Sequence, residues 1–168
     1  TYAPILFYGT QNGDDIQGLV KTREEYISII LKKILSSLNF LHSKRVVHRD
    51  LKLENIMINP KNFSIKLIDF GFSVISESMV WTTICGSFEY MAPEILRDLI
   101  RNSNSKEEDS TMPYSLQSEV WPLGVILYGL IFCRLPFVHQ NRIKLINLVL
   151  NSEPSFYPEN AICDPNLR

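Results

Sequence analysis

Asp50 and Asn55 stand five positions apart in the run His48-Arg49-Asp50-Leu51-Lys52-Leu53-Glu54-Asn55, and Asp69-Phe70-Gly71 follows. A carboxylate at Asp50 can receive a hydroxyl proton. The amide oxygen of Asn55 and the carboxylate of Asp69 are hard donors of the kind that magnesium takes. Phosphoryl transfer needs such a set, because its work is mostly positioning and neutralisation of charge. Taken singly these residues say little: an aspartate in a turn is commonly a cap, and a lone lysine is commonly solvated.

The elements that must hold these residues can be read from pattern. Pro4 to Tyr8 is apolar and aromatic before Gly9, Asn12 and Gly13, which predicts a strand running into a turn. Thr22 and Glu25 form a capping-box pattern. After them Ile27, Ile30, Leu31, Ile34, Leu38 and Leu41 recur at helical spacing, so a helix is expected over 23–43. Val46 and Val47 predict a short strand leading into the Asp50 loop. Ile56 to Ile58 and Ile65 to Ile68 predict two more, joined by a turn at Asn59-Pro60-Lys61-Asn62. Asp69 to Glu94 is expected to be a long irregular segment, usually a functional feature. A short helix over 95–100 precedes a polar, acidic stretch, 102–112, read as a flexible insertion. A buried helix is predicted over 118–132, with Pro122 tolerated in its first turn, and an amphipathic one over 142–151. There is no internal repeat.

Composition sets the outer bounds. The chain has 168 residues, enough for one domain with a core of its own. A net charge of −1 gives no electrostatic case for nucleic acid or an anionic membrane surface. The longest apolar run, around Leu123 to Cys133, is too short to span a bilayer. There is no secretory signal pattern at the start, so the expected location is the cytoplasm or nucleus. Cys85, Cys133 and Cys163 show no metal-ligand spacing and fit a reduced chain better than a disulfide scaffold.

With Ala92-Pro93-Glu94 further on, the order and spacing of these motifs resemble the eukaryotic protein kinase family. The resemblance covers nearly the whole chain and implies an α+β fold of which this chain is the larger, mainly helical C-terminal lobe, with short β ribbons carrying the loops. It implies ATP and Mg²⁺ as cofactors and protein substrates. Asp50 matches the catalytic aspartate. Lys52 matches the lysine that neutralises the transferred phosphoryl group, and a lysine at this place resembles Ser/Thr rather than tyrosine kinases. Asn55 and Asp69 match the Mg²⁺ ligands. Gly71 matches the turn glycine at the metal. Met57 matches the apolar residue beneath adenine, with the hinge expected at 8–11. His48 and Phe70 match residues that pack together as an internal spine.

The segment Thr83-Ile84-Cys85-Gly86-Ser87-Phe88-Glu89-Tyr90-Met91 resembles that of kinases switched on by loop phosphorylation. Thr83 matches the phosphorylated threonine, with Thr82 as a competitor; a phosphate there, added by an upstream kinase, could pair with Arg49. Ser87 matches the hydroxyl that bridges Asp50 and Lys52. Glu94 matches a glutamate that forms a buried ion pair with a later arginine, Arg168 or one beyond it. Glu54 and Asp14 match acids that hold arginines upstream of the target residue in basophilic members. The motif details look most like the calmodulin-dependent and AMP-activated-type branch.

Three departures stand out. Glu119-Val120-Trp121-Pro122 replaces the family's Asp-x-Trp-Ser, so a longer side chain must bind the catalytic-loop backbone, with strain or more loosely. Cys133 stands where glycine is common. The glycine-rich loop, the strand lysine and its partner glutamate have no counterpart. The expectation is therefore a partial kinase domain, hinge and C-terminal lobe without the N-terminal lobe, inactive as a fragment of a Ser/Thr kinase. The alternative is a non-catalytic, pseudokinase-like interaction module. A small-molecule phosphotransferase is a third reading, disfavoured by Lys52 and the Ala-Pro-Glu segment.

Overall fold

The computed structural model describes residues 3–4, 22–75, 85–104 and 116–156. The hinge at 8–11, Asp14, Thr82, Thr83, Arg168 and positions 105–112 of the expected insertion lie outside them.

Helix α1 (Arg23–Ser43) has the boundaries that its pattern predicts. Thr22 starts it: its hydroxyl accepts the N–H of Glu25 at 3.1 Å, satisfying one of the free donors of the first turn. Tyr26, Ile27, Ile30, Ile34 and Leu38 bury one face, as a 3.6-residue period requires. Strand β1 (Ala3–Pro4) pairs antiparallel with β3 (Ile56–Ile58), which pairs with β4 (Ile65–Leu67). Strand β2 (Val46–Val47) pairs with β5 (Val74–Ile75).

The β3–β4 turn reaches further than Asn62. Asn59 Oδ1 accepts the N–H of Lys61, and Asn62 Oδ1 accepts the N–H of Ser64. Between them Phe63 takes a positive φ of 53° and drops its ring into the core against Tyr26. The stretch from Asp69 to Glu94 is less irregular than expected, since it contains β5 and a 3₁₀ turn at Phe88–Tyr90. Helix α2 (Pro93–Asn104) is longer than the predicted one and takes in positions 102–104.

A 3₁₀ turn, Leu116–Glu119, leads into α3 (Val120–Phe132). Pro122 sits in the first turn of α3, where its missing N–H would have had no helical partner. The helix ends on Cys133, whose φ of 54° is the left-handed closing conformation. That geometry explains why glycine is common there. Cys85 is a free thiol, and Cys163 lies outside the described residues. Helix α4 (Arg142–Asn151) has its predicted boundaries, with Asn141 Oδ1 capping Lys144 N–H. Among the described residues no helix is long and apolar enough to cross a membrane.

Two buried clusters result. The first joins the α1 stripe to Leu51, Leu53, Ile56, Ile58, Val125 and Ile126. The second joins Met91, Ile95, Leu96, Phe137, Leu145 and Val149. Trp121 packs on both, and its ring stacks on Phe137 at 6.4 Å.

Candidate active site

The Asp50 loop runs between β2 and β3, anchored by Leu51 and Leu53 in the first core. Helix α3 crosses so close behind it that a side chain at Gly129 would meet Leu53 Cδ1 at 2.8 Å. Buried Glu119 fixes the loop's entry. Its Oε1 accepts the N–H of His48 at 2.7 Å and of Arg49 at 2.9 Å, and its Oε2 lies 2.6 Å from His42 Nε2. The extra methylene of this glutamate therefore neither breaks nor loosens the contact, and the second oxygen reaches back to α1. Arg49 takes a φ of 64° here. A bulky residue held in the left-handed region costs of order 1–3 kcal/mol, and the Glu119 bonds on its own and the preceding N–H help to hold it.

His48 is fully buried. Its Nε2 lies 3.0 Å from the Ile68 carbonyl, which can only accept, so Nε2 carries the proton. Its ring packs on Phe70 with centroids 4.9 Å apart. Asp69 follows at a φ of 61°, exposed, with Oδ1 accepting the Gly71 N–H at 3.3 Å. A Cβ at position 71 would crowd that oxygen at 3.2 Å.

Asp50 is buried at the centre. Its Oδ1 accepts the Ser87 N–H at 3.0 Å and the Ser87 hydroxyl at 3.2 Å. Its Oδ2 takes Lys52 Nζ at 2.8 Å and Asn55 Nδ2 at 3.2 Å. Lys52 also donates to Ser87 Oγ at 3.0 Å. Burial pushes the Asp50 carboxyl up, but Lys52 and the two Ser87 bonds outweigh it and hold it below its ordinary value. The group is thus ionised at neutral pH, as a proton acceptor must be.

Asn55, also buried, donates to the Asp50 carbonyl at 2.8 Å as well. With its amide nitrogen so committed, its oxygen is the atom left for a cation. The donor chemistry of Asn55 and Asp69 fits magnesium: two hard oxygens, one of them an exposed carboxylate. Among the described residues no group of three His, Cys, Asp or Glu forms a metal cage. Such a cage is not needed where phosphates and water complete the shell. Met57 is half-buried on β3, paired across the ladder with Pro4 and Lys66.

Several expected site residues lie elsewhere or have other partners. Arg49 Nε donates to the Phe72 carbonyl at 2.6 Å. Glu94 is exposed in the first turn of α2, and Arg168, the partner expected for it within this chain, lies outside the described residues. Glu54 is exposed and accepts the Tyr90 hydroxyl at 3.4 Å. Burial, and then the Glu54 charge, push the Tyr90 phenol far up, so it stays a donor.

Three contributors were not read from the sequence. His42 lies 77 positions from Glu119, and no local pattern links them. Gly86 has a φ of 100°, and a side chain there would strike the Arg49 carbonyl at 2.7 Å. Its place beside Ser87 was a signal that could have found it. Tyr90 is the third.

Similarity to known proteins fits this geometry. The family model described as protein kinase domain matches residues 6–161. The chain belongs to that family. The protein kinases it resembles include the RAC-beta serine/threonine-protein kinase of Rattus norvegicus, 40% identical over 74% of this chain and 23% of that protein. Serine/threonine-protein kinase 33 of Bos taurus is 37% identical over 76% of this chain and 26% of its own length. The cAMP-dependent protein kinase type 3 of Saccharomyces cerevisiae is 31% identical over 87% and 34%. The chain thus spans about a quarter to a third of these kinases.

Proposed function

We propose that this chain is the C-terminal lobe of a Ser/Thr protein kinase and that its parent protein transfers the ATP γ-phosphoryl group to serine or threonine. The observation that carries this reading is the closed network of Asp50, Lys52, Ser87 and Asn55. It presents an ionised carboxylate beside a fixed ammonium, which is what proton acceptance and charge neutralisation at an incoming phosphoryl require.

In this reading the substrate hydroxyl approaches Asp50, which orients it and takes its proton. Lys52, held between Asp50 and Ser87, meets the charge on the transferring group. Asn55 Oδ1 and the Asp69 carboxylate would hold Mg²⁺, which when bound neutralises phosphate charge. His48, Gly71 and Glu119 act by position. They set the ring under Phe70, the turn at Asp69 and the backbone before Asp50. Met57 contributes to the adenine side. Thr83, once phosphorylated, would supply a partner for Arg49. Glu54 and Asp14 select arginine upstream of the target, as in the basophilic calmodulin-dependent and AMP-activated-type branch.

The test is Mg·ATP-dependent phosphorylation of a serine peptide with upstream arginines by the full-length natural protein. Asp50→Asn should lower kcat by about 10²–10⁴-fold. Equal rates in the two proteins would remove Asp50 from the reaction. Absence of activity in a protein with a complete nucleotide pocket would favour an interaction module.

A further inference from the structure

One short turn, Ser87 to Tyr90, joins Asp50, Glu54 and Arg142. Ser87 holds Asp50 through its N–H and hydroxyl. Tyr90 holds Glu54. Between them Phe88 stands half-buried against the second core, and the guanidinium carbon of Arg142 lies 4.2 Å above its ring centroid. Arg142 comes from the first turn of α4, packed against this turn. Its side chain is exposed, and among the described residues no carboxylate lies within ion-pair distance of it. A guanidinium stacked on an aromatic face keeps its planar edge of N–H donors available, because the ring takes the face and not the edge.

We infer that Arg142, aimed by Phe88, is a specificity-determining residue that binds an acidic side chain of the peptide substrate a few positions from the target hydroxyl. This rests on the kinase reading, since it takes Asp50 as the point where the target hydroxyl sits. Ser87 touches Asp50 and its chain neighbour Phe88 carries the guanidinium, so a peptide with its hydroxyl at Asp50 would need only a few extended residues, at about 3.3–3.6 Å each, to bring a carboxylate to Arg142. A carboxylate there forms a charge-assisted, bidentate contact, which a lysine could not reproduce in the same plane. The preferred substrate is then bipolar: arginine for Glu54 and an acid for Arg142.

The experiment uses the full-length protein and fluorescently labelled serine peptides carrying upstream arginines, with one glutamate scanned through every position within four residues of the serine. Binding is read by anisotropy, and phosphorylation with Mg·ATP is read separately. The expectation is that glutamate at one register tightens binding by about three- to fivefold, and less at high salt. R142A should abolish that preference. R142E should reverse it toward lysine at the same register, an outcome that a misfolded variant cannot imitate. Equal binding of all registers, or a preference that survives R142A, overturns the inference. A register preference reversed by R142E but with no phosphoryl transfer would leave the docking contact standing and remove the kinase reading instead.

Discussion

The Asp50 carboxylate is saturated. Its two oxygens offer about four lone-pair positions, and Ser87 N–H, Ser87 hydroxyl, Lys52 and Asn55 already point donors at them. On the proposed function a substrate hydroxyl would have to displace or share with one of these donors, and the Ser87 hydroxyl, at 3.2 Å, is a neutral group that can rotate away. The same donors set the acid's titration. Because its folded value is depressed, the ionised form and the stability it brings are present above the ordinary carboxylate range, and both are lost as pH falls through the lowered value. Lys52 heads the lowering influences, so Lys52→Met should move the acidic limb of the kcat/KM profile to higher pH, besides reducing its height. A limb unmoved in that variant would mean that Lys52 does not govern the Asp50 proton. That Asp50 and Asn55 would share one loop was expected from their local spacing, whereas Lys52 was singled out only by family resemblance. The Ser87 bridge crosses 37 positions and was legible only through family resemblance.

Among the elements, the 3₁₀ turn before α3 matters most for the candidate site, since its last residue, Glu119, ties the Asp50 loop to α1. Glu119→Ala would strand two loop N–H groups and unpair His42, and breaking a buried charged contact of this kind costs about 3–5 kcal/mol. Urea unfolding should show that loss. Glu119→Gln, which keeps an acceptor for the loop, should lose less; equal losses would assign the effect to His42 alone. Helix α1 was readable because Thr22 announces its start, and α4 from its amphipathic pattern, while its Asn141 cap was seen only in the structure. The end of α2 was not readable. Arg101-Asn102-Ser103-Asn104 is polar and favours loops locally, yet the helix continues through it. Phe63 was equally hidden: a turn was expected, and nothing in its neighbours tells that one of its residues enters the core.

On the scale of the whole molecule, the Asp50 loop grows from the first core and the turn carrying Phe88 from the second, and Trp121 is packed on both. Trp121→Ala should cost about 3–5 kcal/mol and should speed amide hydrogen exchange in α1 and in α4 together. Acceleration confined to one helix would show that the cores respond separately. The indole also has an optical consequence. Its Nε1 is buried with no hydrogen-bond partner among the described residues, an uncommon state for tryptophan. Its emission is expected to move red when water or a polar group reaches that nitrogen. The chain has one other tryptophan, Trp81. In a Trp81→Phe background, the emission colour of Trp121 becomes a built-in gauge of how tightly the two cores are held together.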